Sequence, residues 1–205
     1  MFNPFKLFPV FSCFVVFIIW FNFASRRSLN RDRKKEKAFW DREEKANATR
    51  KKELHSLKFI HIPIADLPFG ITSDEQIISY EKRIKALSEQ KIVNLTGITN
   101  TDLKLKYGAP NLTLLTEYDT NFIQFVSVMN QWATRLYKSG FPSEALILLE
   151  CAIHNGSDIK GSYVLLCQLY DELGFGSKKA ALLPYAESLN SLMKEPILKY
   201  LTEEA

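Results

Sequence analysis

The chain has 205 residues, of which 46% are hydrophobic and 24% charged, with a net charge of +4. That length holds one modest domain with added segments rather than two full domains, and the composition is that of a folded chain. The positive charge is local: residues 26–53 carry 12 Lys/Arg against 6 Asp/Glu, whereas residues 54–205 carry 14 against 17. Cys13, Cys151 and Cys167 do not make a disulfide framework and read as reduced, packed thiols.

Residues 1–25 read as a transmembrane anchor. No residue between Lys6 and Arg26 is charged, and Leu7 to Ala24 is almost wholly apolar, just long enough at ~1.5 Å per residue to cross a hydrocarbon core of about 30 Å. Phe8, Phe11, Phe14 and Phe17 recur every third residue, Pro9 falls in the first turn, and Trp20, Phe21 and Phe23 sit where an aromatic belt meets headgroups. A cleavable signal peptide is the competing reading; the single charge before the run and the lack of a small-x-small site before Ser25 argue against it. Arg26, Arg27, Arg31, Arg33, Lys34 and Lys35 follow the run directly. The positive-inside rule then places the rest of the chain in the cytoplasm, on a single-pass protein of the cell membrane. The sequons at Asn47, Asn94, Asn111 and Asn155 are expected to stay unused on that side.

Residues 26–57 form a charged, basic juxtamembrane segment; Ser28 to Leu57 lacks Gly and Pro and is expected to be helical. No apolar heptad runs through it, so a coiled-coil dimer has little support and the oligomeric state stays open. Its basic first half suits an anionic lipid surface, at ~1 kcal/mol per Lys or Arg. No nucleic-acid module follows, and none is expected to bind. Residues 58–72 are an extended connector in which Ile60, Ile62 and Ile64 alternate with His61, Pro63 and Ala65. It is expected to lie as a strap on the helical domain, on an outer face or in a groove.

Residues 73–118 hold lead-in helices and a loop. Ser73 opens a helix to about Glu89 with Ile77, Ile78, Tyr80, Ile84 and Leu87 on one face. Lys91 to Gly97 is ambiguous, Asn100 or Thr101 caps a two-turn helix ended by Gly108, and Ala109 to Thr116 is a loop.

Residues 119–205 carry a repeat. At an offset of 34, Trp132 falls on Leu166, Ala133 on Cys167, Leu136 on Tyr170, Gly140 on Gly174, Ser143 on Ser177, Leu149 on Leu183 and Ala152 on Ala186. The expected helices run from Asp119 or Thr120 to Ser139, from Ser143 to about Asn155, over residues 162–173 and from Ser177 to about Met193, with a closing helix over Glu195 to Glu204. This pattern resembles the tetratricopeptide repeat, a pair of antiparallel helices stacked on neighbours. Pro184 and the lack of Ala at position 179 depart from it, so the second hairpin is expected to be kinked or shifted. The whole chain is expected to be all-α: a transmembrane helix, a charged juxtamembrane helix, and two tetratricopeptide-like hairpins plus a closing helix.

The resemblance implies that the first helix of each unit lines a concave face. Ser127, Asn130, Thr134, Tyr137 and Lys138 would stand there beside Val164, Gln168, Asp171 and Glu172, a polar face suited to a protein or peptide. The candidate partner-binding residues are Asn130, Thr134, Tyr137, Lys138, Gln168, Asp171 and Glu172. No catalytic motif, metal-ligand spacing or cofactor loop appears in the sequence, and the chain is not expected to be an enzyme. The expected function is a membrane-anchored scaffold or adaptor. The alternative is an accessory subunit of a membrane complex that makes its contacts through span and stalk.

Overall fold

The computed structural model describes residues 7–204, without the side chains of residues 7–13, 19, 28–30 and 204. Lys6 and the side chains of Phe8, Pro9, Phe11 and Cys13 therefore lie outside the described residues. The α-helices are α1 (Leu7–Asn47), α2 (Glu75–Ser88), α3 (Asn100–Tyr107), α4 (Leu112–Lys138), α5 (Pro142–His154), α6 (Lys160–Glu172), α7 (Leu183–Ser188) and α8 (Lys194–Glu204), and no strand occurs among the described residues. The all-α class is thus observed. Among the described residues no helix is long and apolar enough to cross a membrane; the side chains of residues 7–13 and 19, which complete the apolar run, are not among them.

The stalk helix ends sooner than composition predicts. α1 runs 41 residues without interruption and stops at Asn47 rather than Leu57. Residues beyond it find better partners outside a helix: Lys52 N–H donates to the Tyr107 carbonyl at 3.0 Å, and Ala109 N–H to that of Thr49 at 3.0 Å. Leu57 is buried and Leu54 partly so in a second cluster with Val93, Leu95, Leu103, Tyr107, Leu115 and Tyr118, and such packing outweighs a helix propensity of a few tenths of a kcal/mol per residue. Gly108 makes the approach possible. Its φ is +93°, and a Cβ there would lie 2.2 Å from the Arg50 carbonyl oxygen.

α3 receives the end of the stalk. Arg42 Nη2 meets Asp102 Oδ1 at 2.5 Å, Lys104 Nζ reaches Glu43 Oε2 at 2.9 Å and Asn47 Oδ1 at 2.8 Å, and the Thr101 hydroxyl donates to Glu43. Beneath these polar contacts Ala46 is fully buried. Hydrogen bonds from Thr101 and then Lys104 hold the Glu43 carboxyl below its ordinary range.

α4 begins at Leu112, so the expected loop at 109–116 is a short 3₁₀ turn, Ala109–Asn111, followed at once by helix. Neither Gly nor Pro occurs between Leu112 and Lys138, and Leu115, Tyr118, Phe122, Phe125, Met129, Trp132 and Leu136 make one buried stripe at helical spacing. Asp119 and Thr120, expected as caps, lie inside the helix, and they and their polar neighbours bond elsewhere. Thr116 and Thr120 hydroxyls donate back to the carbonyls of Leu112 and Thr116. The Asp119 carboxylate accepts the Leu95 N–H at 2.9 Å, and the Asn121 amide donates to the Lys91 carbonyl at 3.0 Å. Those two side chains fix the ambiguous 91–97 segment against α4, and it closes in a turn at Thr96 and Gly97.

The other caps shift by a residue or two. Asp74 rather than Ser73 caps α2, accepting from the N–H groups of Gln76 and Ile77. Thr99 caps α3, and Pro142 at the first position of α5 makes the Ser143 cap unnecessary. Arg135 grips Asp74 through Nε at 3.0 Å and Nη2 at 2.6 Å, tying α2 to α4. The strap lies on the main core, with Ile60, Ile62, Ile64 and Phe69 packed against it and Leu67 buried in it. Phe69 sits 5.2 Å from the Trp132 ring, whose N–H is the one buried side-chain donor without an acceptor among the described residues.

The 34-residue period survives in three dimensions, up to a point. Phe141 N–H donates to Leu136 O at 3.0 Å, and Phe175 N–H to Tyr170 O at 2.6 Å. Gly140 and Gly174 stand between with φ of +85° and +78°. The paired positions Trp132 and Leu166, Ala133 and Cys167, Leu136 and Tyr170, and Ala152 and Ala186 are all buried. The last arm breaks the match. Residues Gly176–Leu182 form a 3₁₀ helix, and α-helix resumes only at Leu183 with Pro184 in its first turn. α8 closes the array through Ile197 and Leu201, both buried.

Candidate functional site

α4 and α6 run side by side as the first arms of the two units, and their polar stripes meet along a seam. At one end the Ser162 hydroxyl donates to Asn130 Oδ1 at 3.0 Å. At the other the Tyr137 hydroxyl donates to Glu172 Oε1 at 2.8 Å, while Gln168 Nε2 donates to the Tyr137 oxygen at 2.7 Å and to Glu172 Oε1 at 2.9 Å. The hydrogen bond to the Glu172 carboxylate raises the Tyr137 phenol above its ordinary value.

Of the residues expected on this face, Asn130, Tyr137, Gln168 and Glu172 are brought together across the two helices. Thr134 stays local, its hydroxyl turned back to the Asn130 carbonyl at 2.8 Å, and Ser127 accepts from Gln131. Lys138 is exposed at the last turn of α4. Asp171 does not join the seam; Lys179 Nζ holds its carboxylate at 2.7 Å. Ser162, fully buried, was not expected, and a single small hydroxyl in an apolar run gives no signal by itself. The seam is preorganised by its internal bonds and presents amide, carboxylate and ammonium groups, which suits recognition of a polypeptide.

The basic residues Arg26, Arg27, Arg31, Arg33, Lys34 and Lys35 are all exposed on α1. At 3.6 residues per turn they spread around much of the helix rather than along one stripe. Asn111 is 2% exposed, with its amide donating to the carbonyls of Lys52 and Tyr107, so a glycan cannot occupy that sequon. Burial pushes the Cys151 thiol up to about 11, which leaves it protonated and unreactive at neutral pH. Among the described residues, no group of three or more His, Cys, Asp and Glu side chains is placed to hold a metal.

Comparison with known proteins finds no family model, no characterised protein and no solved structure similar to this chain.

Proposed function

We propose that this chain is a single-pass, membrane-anchored adaptor that holds a protein or peptide partner on the α4/α6 seam. The observation that carries the reading is the Tyr137–Gln168–Glu172 triad. Three polar side chains from two helices are ordered on an exposed face, where solvent would satisfy them separately. The anchor is supported by Phe14, Phe17, Trp20 and Phe23, each between 56% and 65% exposed on α1. An exposed apolar row of that size suits lipid or another protein better than water, and the collar of arginines and lysines that follows suits the cytoplasmic headgroups. A second reading, an accessory subunit that makes its contacts through span and stalk, draws on Phe39 and Trp40, 56% and 61% exposed on the solvated part of α1.

The test is crosslinking with mass spectrometry on the full chain in its membrane. One variant replaces residues 7–24 by a neutral Leu/Ala span, and another combines Asn130→Ala with Gln168→Ala. An adaptor keeps its partner in the first and loses it in the second. The opposite pattern sinks the seam and leaves the accessory-subunit reading. Truncation through residue 57 is unsuitable because it strips Ala46, Leu54 and Leu57 from the packed domain.

A further inference from the structure

We infer that the joint between stalk and domain carries a second binding site, one for an acidic peptide segment with an apolar side chain. The residues just past α1, RKKELHSLK over 50–58, hold Arg50, Lys51, Lys52 and Lys58 against Glu53 alone. Such a run is ordinarily mobile. Here the Asn111 amide donates to the Lys52 carbonyl at 2.7 Å, Lys52 Nζ donates to the Leu105 carbonyl at 2.8 Å, and Gly108 lets the Arg50 backbone lie flush against the turn before α4. The basic residues 50–52 are therefore pinned in place, and Leu54 to Leu57 closes a hydrogen-bonded turn after them, before any ligand arrives, which lowers the ordering cost of binding.

Between this segment and the first turns of α4 lies an open groove of about 780 Å³. Its floor is apolar: Phe59 and Tyr118 meet edge to face with centroids 5.8 Å apart, and Leu114 beside them is 36% exposed. Its rim is cationic. Lys51 and Lys52 line one side, and Lys91 places its ammonium 5.5 Å and 5.9 Å from the Phe59 and Tyr118 rings. Among the described lining residues Glu53 is the one carboxylate, and His55 Nε2 meets it at 2.7 Å. A ligand that satisfies both halves carries carboxylates around a hydrophobic side chain, and the volume takes several side chains rather than a lone phosphate.

A lipid headgroup shares the negative charge but not the location. On the anchor reading, which this one step borrows, α1 sets the groove about 35 Å beyond Ala24, far outside a screening length of ~8 Å. The groove also lies about 24 Å along α4 from the seam, so the two sites are separable.

The measurement is fluorescence anisotropy on the full chain in micelles, with a labelled peptide of alternating Glu and Leu as probe. A matching Gln/Leu peptide and vesicles containing phosphatidylserine form parallel arms. The acidic peptide is expected to bind, and to bind less as salt is raised. Lys51→Glu and Lys91→Glu should each weaken it roughly tenfold, Leu114→Ala should weaken it less, and Tyr137→Phe should leave it unchanged. Thermal melts of each variant, with Lys51→Ala and Lys91→Ala as milder substitutes, separate lost binding from lost fold. Equal affinity for the neutral peptide, indifference to both lysine reversals, or charge-dependent binding of vesicles alone would each overturn the proposal.

Discussion

The two hairpins share a period and a turn, yet only the first completes its second arm as α-helix. In the first unit α5 runs 13 residues from Pro142 to His154; in the second the same span is 3₁₀ helix followed by a six-residue α7. Glu150 and Pro184 occupy equivalent places. Glu150 keeps its N–H in the helix and accepts the Tyr170 hydroxyl at 2.7 Å and Lys178 Nζ at 3.2 Å. Pro184 has no N–H, and its ring crowds the carbonyl four residues back, so the arm must restart. α8 then covers what the shortened arm leaves. The lesson is that the turn and the buried small residues define the repeat, while the second arm tolerates damage when a neighbour compensates.

The sharpest way to break this comparison is to write the proline into the first unit. Glu150→Pro is expected to cost about 3 kcal/mol or more, seen as a fall of roughly 10 °C in thermal midpoint. Pro184→Ala should change stability by less than about 1 kcal/mol while slowing hydrogen exchange across 176–188; unchanged exchange there would mean that the proline does not set the 3₁₀ arm. Next in size, Gly140→Ala and Gly174→Ala should cost roughly 1–2 kcal/mol each, and equally, because both sit at positive φ with open space around a new Cβ. Unequal losses in urea titrations would show that the turns only look alike. The smallest effect separates the units by pH. Asp74 ties α2 to the first unit, and the Arg135 hydrogen bond holds its carboxyl below the ordinary 3.8. A depressed folded value means fewer protons bound in the fold, so this stabilisation is present above about 3.8 and fades as pH falls beneath it. Acid titration of stability should lose that component in Asp74→Asn.

The repeat phase is legible in the sequence because burial and turn geometry recur together: Trp132 with Leu166, Gly140 with Gly174, Ala152 with Ala186. So is the closing helix, where Pro196 falls in a first turn. What misleads is polar side chains with tertiary duties. Asp119 resembles a helix start but accepts the Leu95 N–H, and Asn121 beside it donates to the Lys91 carbonyl; nothing in their spacing says so. Likewise residues 48–57 have the composition of a helix, and only the approach of α3 explains why they leave it. At the seam the resemblance to the tetratricopeptide repeat is what places Tyr137, Gln168 and Glu172 on one concave face; it cannot tell that Asp171, one residue before Glu172, is drawn off by Lys179. α3 itself, the receiver of the stalk, carries no motif because its partners are 57 to 61 residues away.

The latch of Glu43, Lys104 and Thr101 ties α1 to α3 and leaves no pivot between the long helix and the domain. A helix of about 60 Å joined to the domain without a free joint is a lever arm. Tilting it by about 10° sweeps its far end through roughly 10 Å. Whatever tips or twists the first half of α1 must swing the Tyr137 face with it, so force applied at one end becomes displacement at the other.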